Sequence, residues 1–360
     1  MAFLTSRLPL TCFAASALVL VVLYTDFEAL QQVKPSGGGT SAGTAPPDRL
    51  LTEQLQVLRN TITSQSCAYS YVEAHTMHVC THTDGRSSVM DTRVSTGTWE
   101  LDKTALFTHF FDLSRTHAPD TYFLDVGANV GYFSLLAGLH GTPALAVEAM
   151  QYNLAPLNAS VVLNELRHLV TPLHVALGAE ESNVELCALP RDRLASAAWT
   201  KNKGNGQVVA SDGRECLEHV RVQPLDAVLL TQPAFTTSPV LFAKLDCEGC
   251  EANALVGASA LLRDDARAPC LLQLEFDVSM TNATGGSPSK LAHLLQSASY
   301  VGPLLFSTFL DELSRGIMDV SAVPTEATLF SRPGTRELVF LRDGVDARCS
   351  FLWSEPWEAP

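Results

Sequence analysis

The residues of this chain best suited to chemistry form two acidic clusters, each directly after a short apolar run. The first begins at the end of the run Tyr122–Val126 and reads D-V-G-A-N-V-G-Y-F-S, from Asp125 to Ser134. An apolar strand, a glycine-containing turn and a helix in immediate succession are typical of nucleotide-type cofactor sites in α/β folds. Glu148 ends a second apolar run, 21 residues after Gly127. In an α/β crossover this position is the tip of the second strand, where a carboxylate can bind two ribose hydroxyls.

Charge and glycine spacing distinguish two cofactors that such a turn could hold. A dinucleotide requires the spacing G-x-G-x-x-G, because its pyrophosphate binds the N–H groups at a helix N-terminus. Here Asp125 leads a G-x-N-x-G turn formed by Gly127, Asn129 and Gly131. S-adenosylmethionine carries an ammonium and a sulfonium group, so an acidic turn attracts it. We therefore expect these four residues and Glu148 to bind S-adenosylmethionine; the alternative is a turn without a ligand.

The second cluster follows the apolar run Val240–Leu245, in which Lys244 is the charged residue. It contains three carboxylates: Asp246, Glu248 and Glu251. Open α/β sheets bind ligands at the carboxyl ends of their strands, so these side chains are expected near the first cluster. Glu251 has an alternative interpretation as a solvated residue in a first helical turn, where the helix dipole favours negative charge. A further apolar run, Cys270–Phe276, carries Glu275.

Five elements, in the same order, resemble those of the FkbM-type methyltransferases, a branch of the S-adenosylmethionine-dependent class I superfamily. They are the D-V-G-A-N-x-G motif at Asp125–Ser134, Glu148 with the segment Asn153–Asn164, the pair Leu225-Asp226, the K-L-D-x-E-G-x-E segment Lys244–Ala258, and the segment Pro269–Glu275. Ala149 stands where the family has proline, and Cys247 and Cys250 replace an aliphatic and a variable residue. The resemblance spans roughly residues 120–342.

The resemblance implies an α/β fold of the Rossmann-like class I methyltransferase type. Such a fold has a mostly parallel seven-stranded sheet with a C-terminal antiparallel hairpin. We expect the strands of that hairpin at Ala327–Phe330 and Glu337–Leu341. The resemblance also implies O-methylation, with sugar hydroxyls as a common class of acceptor.

Methyl transfer to a hydroxyl depends on alignment of the reacting atoms and on removal of the hydroxyl proton. We expect Asp246 and Glu248 at the acceptor, with Lys244 orienting or neutralising them. Which carboxylate is the general base, or whether a histidine from elsewhere serves, stays open. The same carboxylates could bind a divalent cation, since hard cations take oxygen ligands. No further ligand can be identified in the sequence, so we predict no metal.

The N-terminus has the composition of a membrane anchor. The segment Leu8–Tyr24 is an uncharged, mainly apolar run of 17 residues, near the lower limit for a membrane span. Arg7 precedes it, and Asp26 and Glu28 follow it, so the positive-inside rule places the remainder of the chain in the lumen. We expect an uncleaved signal anchor; a cleaved signal peptide of a secreted protein and an organelle-targeting segment are the alternatives.

The order of anchor, stem and globular domain resembles a type II membrane enzyme of the Golgi. Residues 34–47 are rich in Gly, Ser, Thr and Pro, as in a flexible stem. The expected divisions are 1–33 for the cytosolic tip and anchor, 34–47 for the stem, 48–120 for an N-terminal extension, 121–345 for the methyltransferase domain and 346–360 for a tail.

Eight cysteines follow Cys12, and an even number in a lumenal domain permits disulfides. Cys67 and Cys80 are a plausible local pair, whereas Cys247 and Cys250 could be a redox pair, a disulfide or two unpaired residues. Two N-x-S/T triplets are compatible with a lumenal glycoprotein, at Asn158 and Asn282. Asn158 falls on an expected helix, so Asn282 is the better acceptor.

Composition excludes some functions and leaves others open. The chain has 24 basic and 38 acidic residues, a net charge of −14, so nucleic acid is not an expected partner. Two rival functions remain: a non-catalytic binding or scaffold protein that keeps the fold, and a nucleotide-dependent oxidoreductase. The intact charged motifs argue against the first, and the glycine spacing argues against the second.

Overall fold

The computed structural model describes residues 66–72, 75–82, 99–188, 215–315, 318–320, 325, 327–343, 348–354 and 357. The strands are β1 (Ser66–Val72), β2 (His75–Thr81), β3 (Tyr122–Val126), β4 (Ala144–Glu148), β5 (Val170–His174), β6 (Ala176–Leu177), β7 (Ser182–Ala188), β8 (Glu215–Gln223), β9 (Val240–Leu245), β10 (Leu271–Phe276), β11 (Tyr300–Leu305) and β12 (Arg336–Arg342). The helices are α1 (Leu101–His117), α2 (Tyr132–Leu139), α3 (Gln151–Leu163), α4 (Leu225–Leu230), α5 (Pro233–Thr236), α6 (Glu251–Val256), α7 (Ser259–Arg263), α8 (Val278–Ala283), α9 (Pro288–Ser297), α10 (Phe306–Ser314) and α11 (Phe351–Ser354).

The central sheet has seven strands in the order β11-β12-β10-β9-β3-β4-β5. Neighbours from β10 to β5 are parallel, and β12 runs antiparallel to both β10 and β11. This is the mostly parallel seven-stranded sheet that the sequence predicted. The four apolar runs identified in the sequence form β3, β4, β9 and β10, which are buried because the sheet is covered on both faces.

The C-terminal antiparallel pair differs from the prediction in one strand. Glu337–Leu341 lies within β12, as expected, but Ala327–Phe330 is a 3₁₀ helix, so its assignment as a strand is wrong. The partner of β12 is β11, which precedes α10 and the 3₁₀ helix in the chain. Leu329 and Phe330 are buried in the core, and periodicity cannot distinguish so short an apolar run in a helix from one in a strand.

The helix α1, within the predicted N-terminal extension, completes one face of the core. Phe107 and Phe111 of this helix pack against Phe123 of β3 and Phe242 of β9. Lys103 and Thr104, at the start of α1, are buried as well. The extension therefore contributes to the central fold through α1, and it brings a lysine to the carboxyl ends of the strands.

Four disulfides join described residues: Cys67–Cys80, Cys187–Cys216, Cys247–Cys250 and Cys270–Cys349. The first links β1 to β2, as the sequence suggested, and the second links β7 to β8 in a separate three-stranded sheet of β6, β8 and β7. The predicted anchor at residues 8–24 and stem at residues 34–47 lie outside the described residues. Within the described part, no helix is long and apolar enough to cross a membrane.

Candidate active site

The site lies at the point where the chain reverses direction across the sheet. From β3 the chain continues to β4 on one side, and it returns to β9 on the other side. Asp125 and Lys244 are register partners on these two central strands. Open α/β sheets bind ligands at the carboxyl ends of the strands beside such a topological switch point. The two predicted clusters are therefore brought together where a ligand is expected.

The turn after β3 is built from residues with positive φ. Gly127, Asn129 and Gly131 have φ values of 76°, 54° and 86°. Glycine adopts this region without steric cost, and asparagine is among the few other residues that tolerate it. The backbone conformation of the turn thus explains why the motif has glycine or asparagine at these three positions.

The missing side chain of Gly127 allows the turns after β3 and β9 to touch. A Cβ on Gly127 would lie 1.8 Å from the carbonyl oxygen of Asp246. The N–H of Asp246 donates to the carbonyl oxygen of Val126 at 3.0 Å. A Cβ on Gly131 would lie 2.1 Å from Leu157 Cδ1 in α3. The space that a side chain would occupy is therefore filled by the protein itself at both glycines.

Four N–H groups of this turn are already bonded within the protein. Those of Gly127 and Ala128 donate to the carbonyl oxygen of Val147, at 2.9 and 3.0 Å. The N–H of Asn129 donates to Glu148 Oε2 at 2.8 Å, and that of Gly131 donates to the carbonyl oxygen of Ala128 at 2.8 Å. These four groups are therefore not available to a pyrophosphate, which a dinucleotide site requires.

Asp125 is an almost fully buried carboxylate with one oxygen that remains an open acceptor. Ser134 Oγ donates to its Oδ2 at 2.6 Å, while its Oδ1 accepts no hydrogen bond within the described part of the chain. Lys244 Nζ lies 4.0 Å from Oδ1. Burial raises the pKa of Asp125, and the charge of Lys244 opposes this shift. Asp125 Oδ1 is therefore a buried acceptor without a hydrogen bond, at ion-pair distance from Lys244.

Glu148 lies at the tip of β4, as predicted, and has a structural role that the sequence did not reveal. Its Oε2 accepts from Asn129, and its Oε1 accepts from the N–H of Met150 at 2.8 Å and from Asn153 Nδ2 at 3.2 Å. It thereby ties the turn after β3 to the start of α3. Burial raises its pKa to about 7, against the effect of these hydrogen bonds. A carboxylate has about four acceptor positions, so one remains for a ligand such as a ribose hydroxyl.

Lys244, which is buried, and Asp246, which is partly exposed, form an ion pair at the end of β9. Lys244 Nζ lies 3.1 Å from Asp246 Oδ2, and its side chain is 4 % exposed. Burial alone would lower the pKa of Lys244, but Asp246 and Asp125 raise it above its usual value. Burial alone would raise the pKa of Asp246, but Lys244 and Lys103 lower it. Both side chains are therefore charged at neutral pH.

A second buried lysine belongs to the site and carried no recognisable sequence signal. Lys103 Nζ lies 2.9 Å from Glu337 Oε1 and 3.1 Å from Glu100 Oε1. Burial alone would lower its pKa, but these two carboxylates raise it. Glu337 was predicted only as a strand residue. Its register pairing with Glu275 across β12 and β10 depends on the tertiary fold, which the sequence pattern alone does not give.

An acidic pocket opens at the carboxyl ends of β9 and β10. Its lining residues are Asp246, Glu248, Gly249, Glu275, Asp277, Met280 and Thr335. Of the predicted catalytic residues, Asp246 and Glu248 line the pocket, whereas Lys244 contacts Asp246. Asp277 was not predicted, and it caps α8 by accepting hydrogen bonds from the N–H groups of Ser279 and Met280. In the described residues no group of His, Cys, Asp and Glu is arranged to hold a metal ion.

The loop between β9 and α6 is closed by the Cys247–Cys250 disulfide and by Glu251. Glu251 Oε1 accepts from the N–H groups of Cys247 and Gly249, at 2.9 and 3.2 Å. The side chain is fully buried, so the interpretation of Glu251 as a solvated residue is wrong. Burial raises its pKa to about 7. The third carboxylate of this cluster therefore shapes the loop that carries Glu248.

The Leu225-Asp226 element also has a structural role. Asp226 Oδ2 and Oδ1 accept from the N–H groups of Ala260 and Leu261, at 2.8 and 3.0 Å. Asp226 therefore accepts hydrogen bonds from two backbone N–H groups in the first turn of α7. This contact fastens α4 to the helices that follow β9.

A scan against protein-family models gives no match, and a search of curated proteins gives none. Solved structures with a similar fold include an S-adenosylmethionine-dependent methyltransferase from Agrobacterium tumefaciens, with 8% identity, a TM-score of 0.37 and coverage of 77% of this chain and 70% of that chain. An O-methyltransferase from Bacillus cereus, in complex with S-adenosylhomocysteine, has 10% identity, a TM-score of 0.33 and coverage of 82% and 92%. One from Streptomyces achromogenes, involved in tomaymycin synthesis and bound to S-adenosylmethionine, has 10% identity, a TM-score of 0.33 and coverage of 66% and 79%. Because their identities and TM-scores are low, these matches do not identify the cofactor or the reaction of this chain. Both are inferred from the residues described above.

Gly127→Ala should destabilise the protein much more than Gly285→Ala. Both glycines have a φ of +76°, but a Cβ at Gly285 meets nothing within 4 Å, whereas one at Gly127 would lie 1.8 Å from the Asp246 carbonyl oxygen. Both variants incur the left-handed strain of about 1–2 kcal/mol, and only Gly127→Ala must also displace the turn after β9. Chemical denaturation of the two variants measures the difference; equal losses of stability would contradict the contact between the two turns.

Glu251→Gln should stabilise the protein increasingly as the pH rises. The pKa of Glu251 in the folded protein is about 7, above the ordinary 4.5, so the folded state binds more protons between these values. Wild-type stability therefore falls as the pH rises through that interval, and a neutral glutamine removes this part of the loss. Thermal midpoints measured from about pH 5 to about pH 8 test this. The exposed Glu180→Gln is the control, and a difference from wild type that does not change with pH would overturn the assignment.

Proposed function

We propose that the protein is an S-adenosylmethionine-dependent methyltransferase that transfers a methyl group to a hydroxyl, in particular a hydroxyl of a glycan. The observation that carries this proposal is the charged array at the switch point of the sheet. Asp125 and Lys244 stand on the two central strands, and Asp246 follows at the end of β9 beside an acidic pocket.

The turn after β3 favours S-adenosylmethionine over a dinucleotide. Its bonded N–H groups offer little to a pyrophosphate, while the open Oδ1 of Asp125 suits the ammonium group of a cationic cofactor. Glu148 has one acceptor position left, which suits one ribose hydroxyl rather than the two expected from sequence. Asn129 and the two glycines shape the turn and keep it against the loop after β9. The expected cofactor residues thus fit S-adenosylmethionine, and two of them, Asp125 and Glu148, would contact it directly.

The pocket beside Asp246 is the proposed place of the acceptor. Bound S-adenosylmethionine would supply an activated methyl group. Asp246 is the favoured general base, because two lysines keep its carboxylate ionised and it lines the pocket. It accepts the proton that the hydroxyl loses, and Lys244 holds the carboxylate in place. Glu248 lines the same pocket and contacts the acceptor.

The more specific parts of the proposal rest on sequence and on the disulfides. Membership of the FkbM type rests on the five motif elements, and a glycan acceptor follows from that resemblance. Four disulfides are typical of an oxidising compartment, which supports a lumenal or secreted protein. The lumenal orientation and a Golgi location rest on the apolar segment at residues 8–24 and the stem that follows it.

Asp125→Asn should weaken S-adenosylmethionine binding by about 10- to 100-fold, the value of one charge-assisted hydrogen bond. Asparagine keeps the shape of Asp125 and can still accept from Ser134, so the fold should persist. Calorimetric titration of the full chain in detergent measures the affinity, with NAD as the second ligand and the exposed Asp311→Asn as the control. Equal affinity of Asp125→Asn and wild type would remove Asp125 from the site. Absence of binding by a folded wild type would favour a scaffold, and preference for NAD would favour an oxidoreductase.

Asp246→Asn should lower the rate of methyl transfer by about 100-fold or more, as expected for loss of a general base, with little change in cofactor affinity. The experiment measures transfer of radiolabelled methyl groups to an array of neutral glycans, for variant and wild type. Turnover by Asp246→Asn at the wild-type rate would contradict its role as base and leave Glu248 as the candidate.

A further inference from the structure

Three carboxyl groups lie side by side on neighbouring strands, at the end of the sheet where β9 and β10 finish and β12 begins. Leu245 of β9 pairs with Leu274 of β10, so the residues that follow them, Asp246 and Glu275, are neighbours across the two strands. On its other side Glu275 pairs with Glu337 of β12. Asp246 and Glu275 also line the same pocket.

The two outer carboxylates each have a lysine, and the central one does not. Lys244 Nζ lies 3.1 Å from Asp246 Oδ2, and Lys103 Nζ lies 2.9 Å from Glu337 Oε1. No ion pair among the described residues includes Glu275. When carboxyl groups crowd together, the one with least compensation keeps its proton, because two adjacent negative charges repel. Glu275 is therefore the group that carries a proton at neutral pH.

The other charged groups around Glu275 also favour its protonated form. Burial and the charges of Asp246, Glu337 and Glu248 raise its pKa to about 9. Asp277, which lines the same pocket, is a further carboxylate. The two lysines of the site bind Asp246 and Glu337. A protonated Glu275 has one O–H, and its neighbour Asp246 is an ionised acceptor for that proton.

We propose that Glu275 is a positioning residue: as a neutral acid it donates a hydrogen bond to Asp246 and fixes that carboxylate for the acceptor hydroxyl. The inference rests on the proposed function of the site. Asp246 is held by two different donors, the ammonium group of Lys244 and the O–H of Glu275. Ionisation of Glu275 removes one donor and places a second negative charge beside Asp246, so turnover falls at alkaline pH.

Two variants of Glu275 separate positioning from simple packing. Glu275→Gln keeps a neutral hydrogen-bond donor, whereas Glu275→Ala removes it. We expect Glu275→Ala to lower kcat by about 100-fold, the cost of a misplaced reacting group, with KM for S-adenosylmethionine unchanged. We expect Glu275→Gln to recover most of that loss and to lack the fall in kcat that wild type shows as the pH rises through about 9. Equal losses in both variants, or an unchanged alkaline fall in Glu275→Gln, would overturn the inference.

Infrared spectroscopy gives a readout that does not depend on methyl transfer. The C=O absorption of protonated carboxyl groups at about pH 8 should be weaker in Glu275→Gln than in wild type by the contribution of one group, while the exposed Glu180→Gln should match wild type. Equal carboxyl absorption in Glu275→Gln and wild type would overturn the inference even if the protein is a methyltransferase. Weaker absorption in Glu275→Gln, together with a wild type that fails to bind S-adenosylmethionine, would support the proton on Glu275 and refute the proposed function.

Discussion

The site depends on two buried lysines that neutralise the carboxylates at the carboxyl ends of the strands. Lys244 joins Asp125 and Asp246 across β3 and β9, and Lys103 joins α1 to Glu337 of β12. A charge at this depth is stable only with its partners, and removal of one partner of such a pair typically costs about 3–5 kcal/mol. Because the lysines come from different elements, the sheet, α1 and the two central turns must assemble together for either charge to be accommodated.

This constraint also determines what the site can bind. The turn after β3 uses its N–H groups to bind Val147 and Glu148, and Gly127 packs on the carbonyl group of Asp246. The turn is therefore shaped by contacts within the protein and presents acids rather than N–H donors. Such a surface favours a cation over a phosphate. The lysines also decide which carboxyl group carries a proton. Asp246 pairs with a lysine and is ionised, whereas Glu275 forms no ion pair with a lysine among the described residues and is neutral.

The central strands could be predicted from sequence because each is a short apolar run bounded by turn residues. β3 and β9 have the expected bounds, and Asp125, Asp246 and Glu248 lie where the order of motifs placed them. Lys103 and Glu337 could not be found in this way, because they belong to no motif and meet only through the tertiary fold. The double use of Glu148 was equally hidden, since its bonds to Asn129 and Met150 depend on backbone geometry. The 3₁₀ helix at Ala327–Phe330 could not be distinguished from a strand in the sequence, because a run of four residues is too short to show a period.

The most direct test of this account is a crystal structure of the protein grown with S-adenosylhomocysteine. The account predicts the ligand at the carboxyl ends of β3 and β4, with its ammonium group on Asp125 and its ribose on Glu148. It also predicts that the ligand sulfur faces the pocket lined by Asp246 and Glu275. A ligand bound elsewhere, or with its ribose away from Glu148 and its ammonium group away from Asp125, would contradict it.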